Sequence, residues 1–151
     1  MRRLLFLAAL LPLLAACDSG TDEVSSVIIT RAQVTSLSFD ASDSNDQWDD
    51  FYLTFRVGGT DVRASTRDDA ERVRSADLVY EFDFGSDIEI VDLERTLVVQ
   101  AYNRESSRAN DQLIGVTVPV SVQSIADAMP GSQELESADS EFRVRLSFEY
   151  D

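Results

Sequence analysis

The chain has no histidine, and only one of its 151 residues is a cysteine. Without histidine it has no Ser-His-Asp triad and no imidazole-ligated zinc. A lone cysteine, Cys17, rules out an internal disulfide. Glycine is sparse, and the pair Gly58-Gly59 reads as a hairpin turn, so no glycine-rich phosphate loop is present. Lysine is missing as well: all 13 basic residues are arginine, against 28 acidic ones, for a net charge of −15. Such a field repels nucleic acid and bare anionic lipid and attracts cations and basic partners. Carboxylates are so plentiful that one pair of them is no sign of a glycosidase cleft. The expectation is a non-enzymatic chain that does not bind nucleic acid.

Residues 1–16 read MRRLLFLAALLPLLAA, a positive start followed by an apolar core that ends in small residues. That layout is a secretory signal peptide, with an apolar run too short for a permanent membrane helix. Leu14-Ala15-Ala16-Cys17 resembles the lipobox of bacterial lipoproteins, which implies that Cys17 is lipidated and becomes the first mature residue. A lipid on Cys17 anchors a chain without making it span the bilayer. Residues 17–26 then form the lipidated cysteine and a small, acidic, flexible spacer. Residues 27–151 suit one domain. The implied location is the envelope of a bacterium, on the inner or outer membrane, with the domain in the periplasm or on the cell surface.

From Val27 onward the apolar residues recur with a period of two. One face of a strand is expected to carry Phe51, Leu53, Phe55 and Val57, and another Leu78, Tyr80, Phe82 and Phe84. TLVVQAY, from Thr96, is more uniformly apolar, as in a central strand. In LIGVTVPV the inward set reads Ile114, Val116, Val118 and Val120, and Pro119 suggests an edge or a strand end. The clearest alternation is FRVRLSFEY, with Phe142, Val144, Leu146, Phe148 and Tyr150 inward and Arg143, Arg145, Ser147 and Glu149 outward. Residues 68–77 and 122–129 are each expected to give a helical turn or two at the sheet ends. The predicted fold is an all-β, antiparallel β-sandwich.

Between two apolar runs lies Asn103-Arg104-Glu105, with Asp111 six residues after Glu105 and Leu113-Ile114-Gly115 closing the stretch. Asp50-Phe51-Tyr52 leads into an earlier strand, preceded by Asp40, Asp43, Asp46 and Asp49. This pattern resembles the C2 domain family, eight-stranded calcium- and phospholipid-binding sandwiches, over about residues 27–151. The resemblance implies a C2-like eight-stranded sandwich with two loops meeting at one end. Oxygens from Asp43 or Asp46, Asp50, Asn103, Glu105 and Asp111 would there surround calcium, which takes six to eight such ligands. Asn103 and Glu105 stand where calcium-binding members carry aspartate, and the proline of the family's Asp-Pro-Tyr is absent. The basic strand that some members use for phosphoinositides has no counterpart, since Arg63, Arg67, Arg72 and Arg74 alternate with Asp68, Asp69 and Glu71. Trp48 is read either as an exposed binding aromatic or as a cap on the core edge.

Two functions follow. One is a lipid-anchored envelope binding module with weak calcium binding at the loop end, meeting an envelope protein or a lipid surface there. The other is a metal-free structural or scaffold lipoprotein that mediates protein–protein contacts.

Overall fold

The computed structural model describes residues 23–39, 47–63, 70–82, 85–105 and 110–151. Cys17 and the expected signal peptide therefore lie outside the described residues. Along the chain run β1 (Val27–Ser36), β2 (Gln47–Val57), β3 (Thr60–Arg63), β4 (Glu71–Arg74), β5 (Tyr80–Phe82) and β6 (Ile88–Ile90). There follow β7 (Thr96–Asn103), β8 (Gln112–Val116), β9 (Val120–Ser121), helix α1 (Val122–Ala128), β10 (Ser132–Glu136) and β11 (Arg143–Tyr150). All the pairings are antiparallel.

Eleven strand segments reduce to eight strands once shared partners are joined. β5 and β6 pair successive parts of β1, β3 and β4 successive parts of β2, and β8 and β9 successive parts of β7. One sheet then runs β10, β11, β1, β5/β6 and the other β3/β4, β2, β7, β8/β9. The fold is an antiparallel β-sandwich, with four strands facing four among the described residues.

The core is what the alternation requires. Val27, Ile29, Ala32 and Val34 of β1 meet Val144, Leu146 and Phe148 of β11 on the inner face of one sheet. Phe51, Leu53, Phe55, Leu97, Val99 and Ala101 supply the other. Phe142, Val144, Leu146 and Phe148 are buried as expected, and Tyr150 is half-buried. β2 is closed on its outer face too, because Tyr52 and Thr54 are also buried. Gly58 and Gly59 both have positive φ and make the tight turn between β2 and β3.

Of three readings, that for 122–129 holds and two change. Residues 71–74 form strand β4, whose Val73 is fully buried opposite Trp48, and only Ser75–Asp77 makes a single 3-10 turn. The segment at 122–129 is helical over Val122–Ala128, capped by the Ser121 hydroxyl on the Ser124 N–H and ended by Met129 at φ 42°. The third concerns the edge strand. Val116 and Val118 are exposed, and Thr117 between them is buried. The inversion has a cause: the Thr117 N–H bonds the Val99 carbonyl, and its Oγ1 accepts the Val99 N–H, both at 3.0 Å. The threonine side chain thus takes over an acceptor role that a carbonyl fills in a regular ladder. The chain then leaves this sheet, and the Val118 N–H bonds the Glu136 carbonyl of β10 at 2.8 Å. That bond ties together the terminal strands of the two sheets.

No helix among the described residues is long and apolar enough to cross a membrane.

Candidate functional site

The two stretches that carry the sequence motif meet. β2 and β7 pair with Phe51 opposite Asn103 and Tyr52 opposite Tyr102, so the residues just outside this register are neighbours. The Arg104 N–H donates to the Asp50 carbonyl at 2.8 Å, and its Nη2 lies 2.9 Å from Asp50 Oδ1. On the other side, β8 pairs Gln112 with Asn103 and brings Asp111 close. Asp111 Oδ2 accepts from the Tyr52 hydroxyl at 2.7 Å, and its Oδ1 accepts the Glu105 N–H at 2.8 Å. The Tyr52 ring stacks on Tyr102, with centroids 5.2 Å apart and planes 14° from parallel. Gln47, Trp48, Asp49, Asp50, Asn103, Arg104 and Glu105 line a polar hollow of about 320 Å³.

Trp48 belongs to the core edge. It is half-buried, and its Nε1 donates to the Ser38 carbonyl at 2.9 Å. That contact also fixes the end of β1 beside the start of β2.

Cationic side chains are built into this pole. Asp50 is paired with Arg104, and Asp49 with Arg72, the latter through Nε at 2.9 Å. The carboxylates are aligned by main-chain pairing and then taken up by guanidinium groups and by hydrogen-bond donors. Of the sequence-derived ligands, Asp50, Asn103, Glu105 and Asp111 come together at this end, whereas Asp43 and Asp46 lie outside the described residues. Among the described residues no three Asp, Glu, His or Cys side chains stand close enough together to hold a metal ion. Calcium asks for six to eight convergent oxygens, and the described donors do not fit it by themselves. Both Asp111 oxygens accept a protein donor, and Asp50 faces a guanidinium in place of open space.

No family model matches the chain, and no curated protein matches it. Among solved structures it is similar to that of a C2 domain, with 11% sequence identity and a TM-score of 0.49. The similarity covers 83% of this chain and 97% of the other.

Sequence reasoning passed over Arg104, Tyr52 and Arg72. Arg104 had a legible signal, because a cation placed between two would-be ligands, Asn103 and Glu105, works against gathering a second cation. Tyr52 stood in the Asp50-Phe51-Tyr52 stretch and on the outward side of the expected strand, but nothing local shows that its hydroxyl reaches Asp111.

Removing the hydroxyl should register. Tyr52→Phe deletes a donor to a carboxylate and is expected to lower stability by about 1.5 kcal/mol. Urea unfolding measures the loss as a lower midpoint at unchanged slope.

Proposed function

We propose that the chain is a lipid-anchored binding module of the bacterial cell envelope whose C2-like loop end is held by internal ion pairs and works without calcium. The observation that carries this reading is the guanidinium of Arg104, 2.9 Å from Asp50. It sits where the resemblance implies a bound cation and supplies a positive charge from the chain itself. The pair is partly exposed, its side chains 33% and 43% accessible, so its contribution to stability is about 0–1 kcal/mol. Its weight lies in arranging the loop pole rather than in stabilising the fold. The lipobox-like residues around Cys17 support the anchor, and the acidic surface supports a protein partner over nucleic acid or anionic lipid. The module acts by binding and not by catalysis: it has no histidine, and Asp49, Asp50 and Asp111 at its loop pole are engaged by arginine and by hydrogen-bond donors.

Thermal unfolding of the full chain with millimolar calcium and with chelator tests the loop end. The two melting temperatures are expected to agree within about 1 °C. A site that millimolar calcium exceeds a hundredfold would add about 2.7 kcal/mol, and a saturable rise of that size overturns the reading. The anchor is tested by fatty-acid labelling and membrane fractionation. Cys17→Ser is expected to abolish both the label and the membrane association, and retention of either rejects lipidation at Cys17.

A further inference from the structure

Leu113, Val116 and Val118 are 48%, 41% and 51% exposed, three large apolar side chains along one margin of the sandwich. They line a groove of about 580 Å³ with Val98, Pro119 and Phe142. A second hollow, of about 270 Å³, shares Leu113 and Ile114 and continues the apolar track to Phe39 and Trp48. The strand beneath this track is β8, the last strand on its side of the sheet among the described residues. Exposed edge strands are ordinarily blunted by charge, proline or a covering loop, because their outer N–H and C=O groups invite another strand. Gln112-Leu113-Ile114-Gly115-Val116 carries neither a charge nor a proline. The available edge is bounded below, where the Val118 N–H turns to Glu136 and Pro119 offers no N–H. The five residues of β8 give a pairing length of about 17 Å.

The polar part of the lining is of one sign. Among the described residues, Asp139 and Glu141, both exposed, line the groove, and no arginine does. The hydroxyl of Ser137 and the N–H of Glu141 hold the Asp139 carboxyl below its ordinary pKa, which keeps it charged at neutral pH.

We propose that the outer side of β8 is a docking site for an extended segment of a partner protein, apolar at alternate positions and flanked by arginine or lysine. Main-chain pairing along β8 supplies the affinity, and alternate side chains enter the groove on Leu113, Val116 and Val118. Basic flanks meet Asp139 and Glu141. Charge complementarity selects this occupant over a second copy of the chain, which would set acidic rim against acidic rim. The groove on Leu113, Val116 and Val118 shares no lining residue with the Asp50–Arg104 hollow, which meets only the far end of the track, at Trp48, so the proposal extends the loop-end reading and stands or fails apart from it.

The probe is a short fluorescent peptide alternating valine and threonine with paired arginines at both ends, titrated with the full chain at physiological salt. Saturable binding is expected, together with slowed amide exchange over residues 112–118. Replacing the arginines by glutamates should weaken binding at least about tenfold. So should the double variant Val116→Asp, Val118→Asp, whose two sites are exposed and whose fold circular dichroism checks. Those aspartates make the surface more acidic, so mere attraction between charges would strengthen binding, whereas groove docking weakens it. Absence of saturable binding, equal binding of the glutamate-flanked peptide, or undiminished binding by the double variant overturns the proposal. A dimer of the free chain that dissolves in the double variant also overturns it and gives the surface to a second copy.

Discussion

Phe142→Ala is expected to lower the unfolding free energy by about 3–5 kcal/mol, and Gly115→Ala by about 1–3 kcal/mol. Their combination should fall short of the sum. Phe142 is 1% exposed and begins the turn into β11, so its loss opens a cavity under the edge strand. Gly115 is there because the ring lies against its backbone. A Cβ built on Gly115 would stand 2.6 Å from Phe142 Cγ and 2.8 Å from its Cβ, closer than such atoms approach. The second of these neighbours is fixed to the main chain and has little room to yield. Without the ring the worst contact disappears, and the space it leaves lets the alanine at 115 settle. A double-mutant cycle by urea denaturation should therefore show a coupling of about 1 kcal/mol. Additivity within about 0.3–0.5 kcal/mol would mean that the close approach of Gly115 and Phe142 is not what limits residue 115.

The second large effect is expected at Thr117. Thr117→Val keeps the shape and removes only the oxygen. The Val99 N–H then loses its acceptor in a place where residues 99 and 117 are 0% and 2% exposed. A buried donor left without a partner costs about 1–3 kcal/mol, more than the hydrogen bond adds when intact. Thr117→Ser keeps the oxygen and should retain most of the stability. If valine proves as stable as threonine and serine the less stable, packing and not hydrogen bonding fixes that position. Hydrogen exchange gives a second readout, because the Val99 amide should lose protection in the valine variant ahead of its neighbours on β7.

Thr117 also marks the limit of what the sequence discloses. Alternation works wherever one face of a strand is dry and the other wet, and this is why FRVRLSFEY could be assigned to faces residue by residue. It fails in LIGVTVPV because the strand changes partners half-way. The turn of Val118 toward Glu136, 18 positions away, has no local trace. The same holds for β4, where one apolar residue in Glu71-Arg72-Val73-Arg74 gives no usable period, and burial of Val73 depends on Trp48 in another strand. The alternation indicated an antiparallel sandwich; the count of eight strands came from the resemblance, and among the described residues three of the eight are each divided into two segments. At the loop pole, the resemblance carried by Asp50, Glu105 and Asp111 implied that two bends meet. Whether those carboxylates face an ion or an arginine depends on where a long guanidinium side chain reaches, and spacing does not encode that.

Both ends of the sandwich sit at the pole away from Arg104. The N–H groups of Ser25 and Ser26 donate to the Asp151 carbonyl at 2.6 and 3.1 Å, and the chain then enters β1, flanked by β11 on one side and by β5 and β6 on the other. A force transmitted from the proposed lipid thus enters an innermost strand, not a margin. Detaching it breaks pairing with β11 and with β5 and β6, whereas a marginal strand is held on one side. Rupture under pulling is governed by the barrier to unfolding and not by equilibrium stability. The placement of β1 makes this a domain suited to bearing tension through its leading strand.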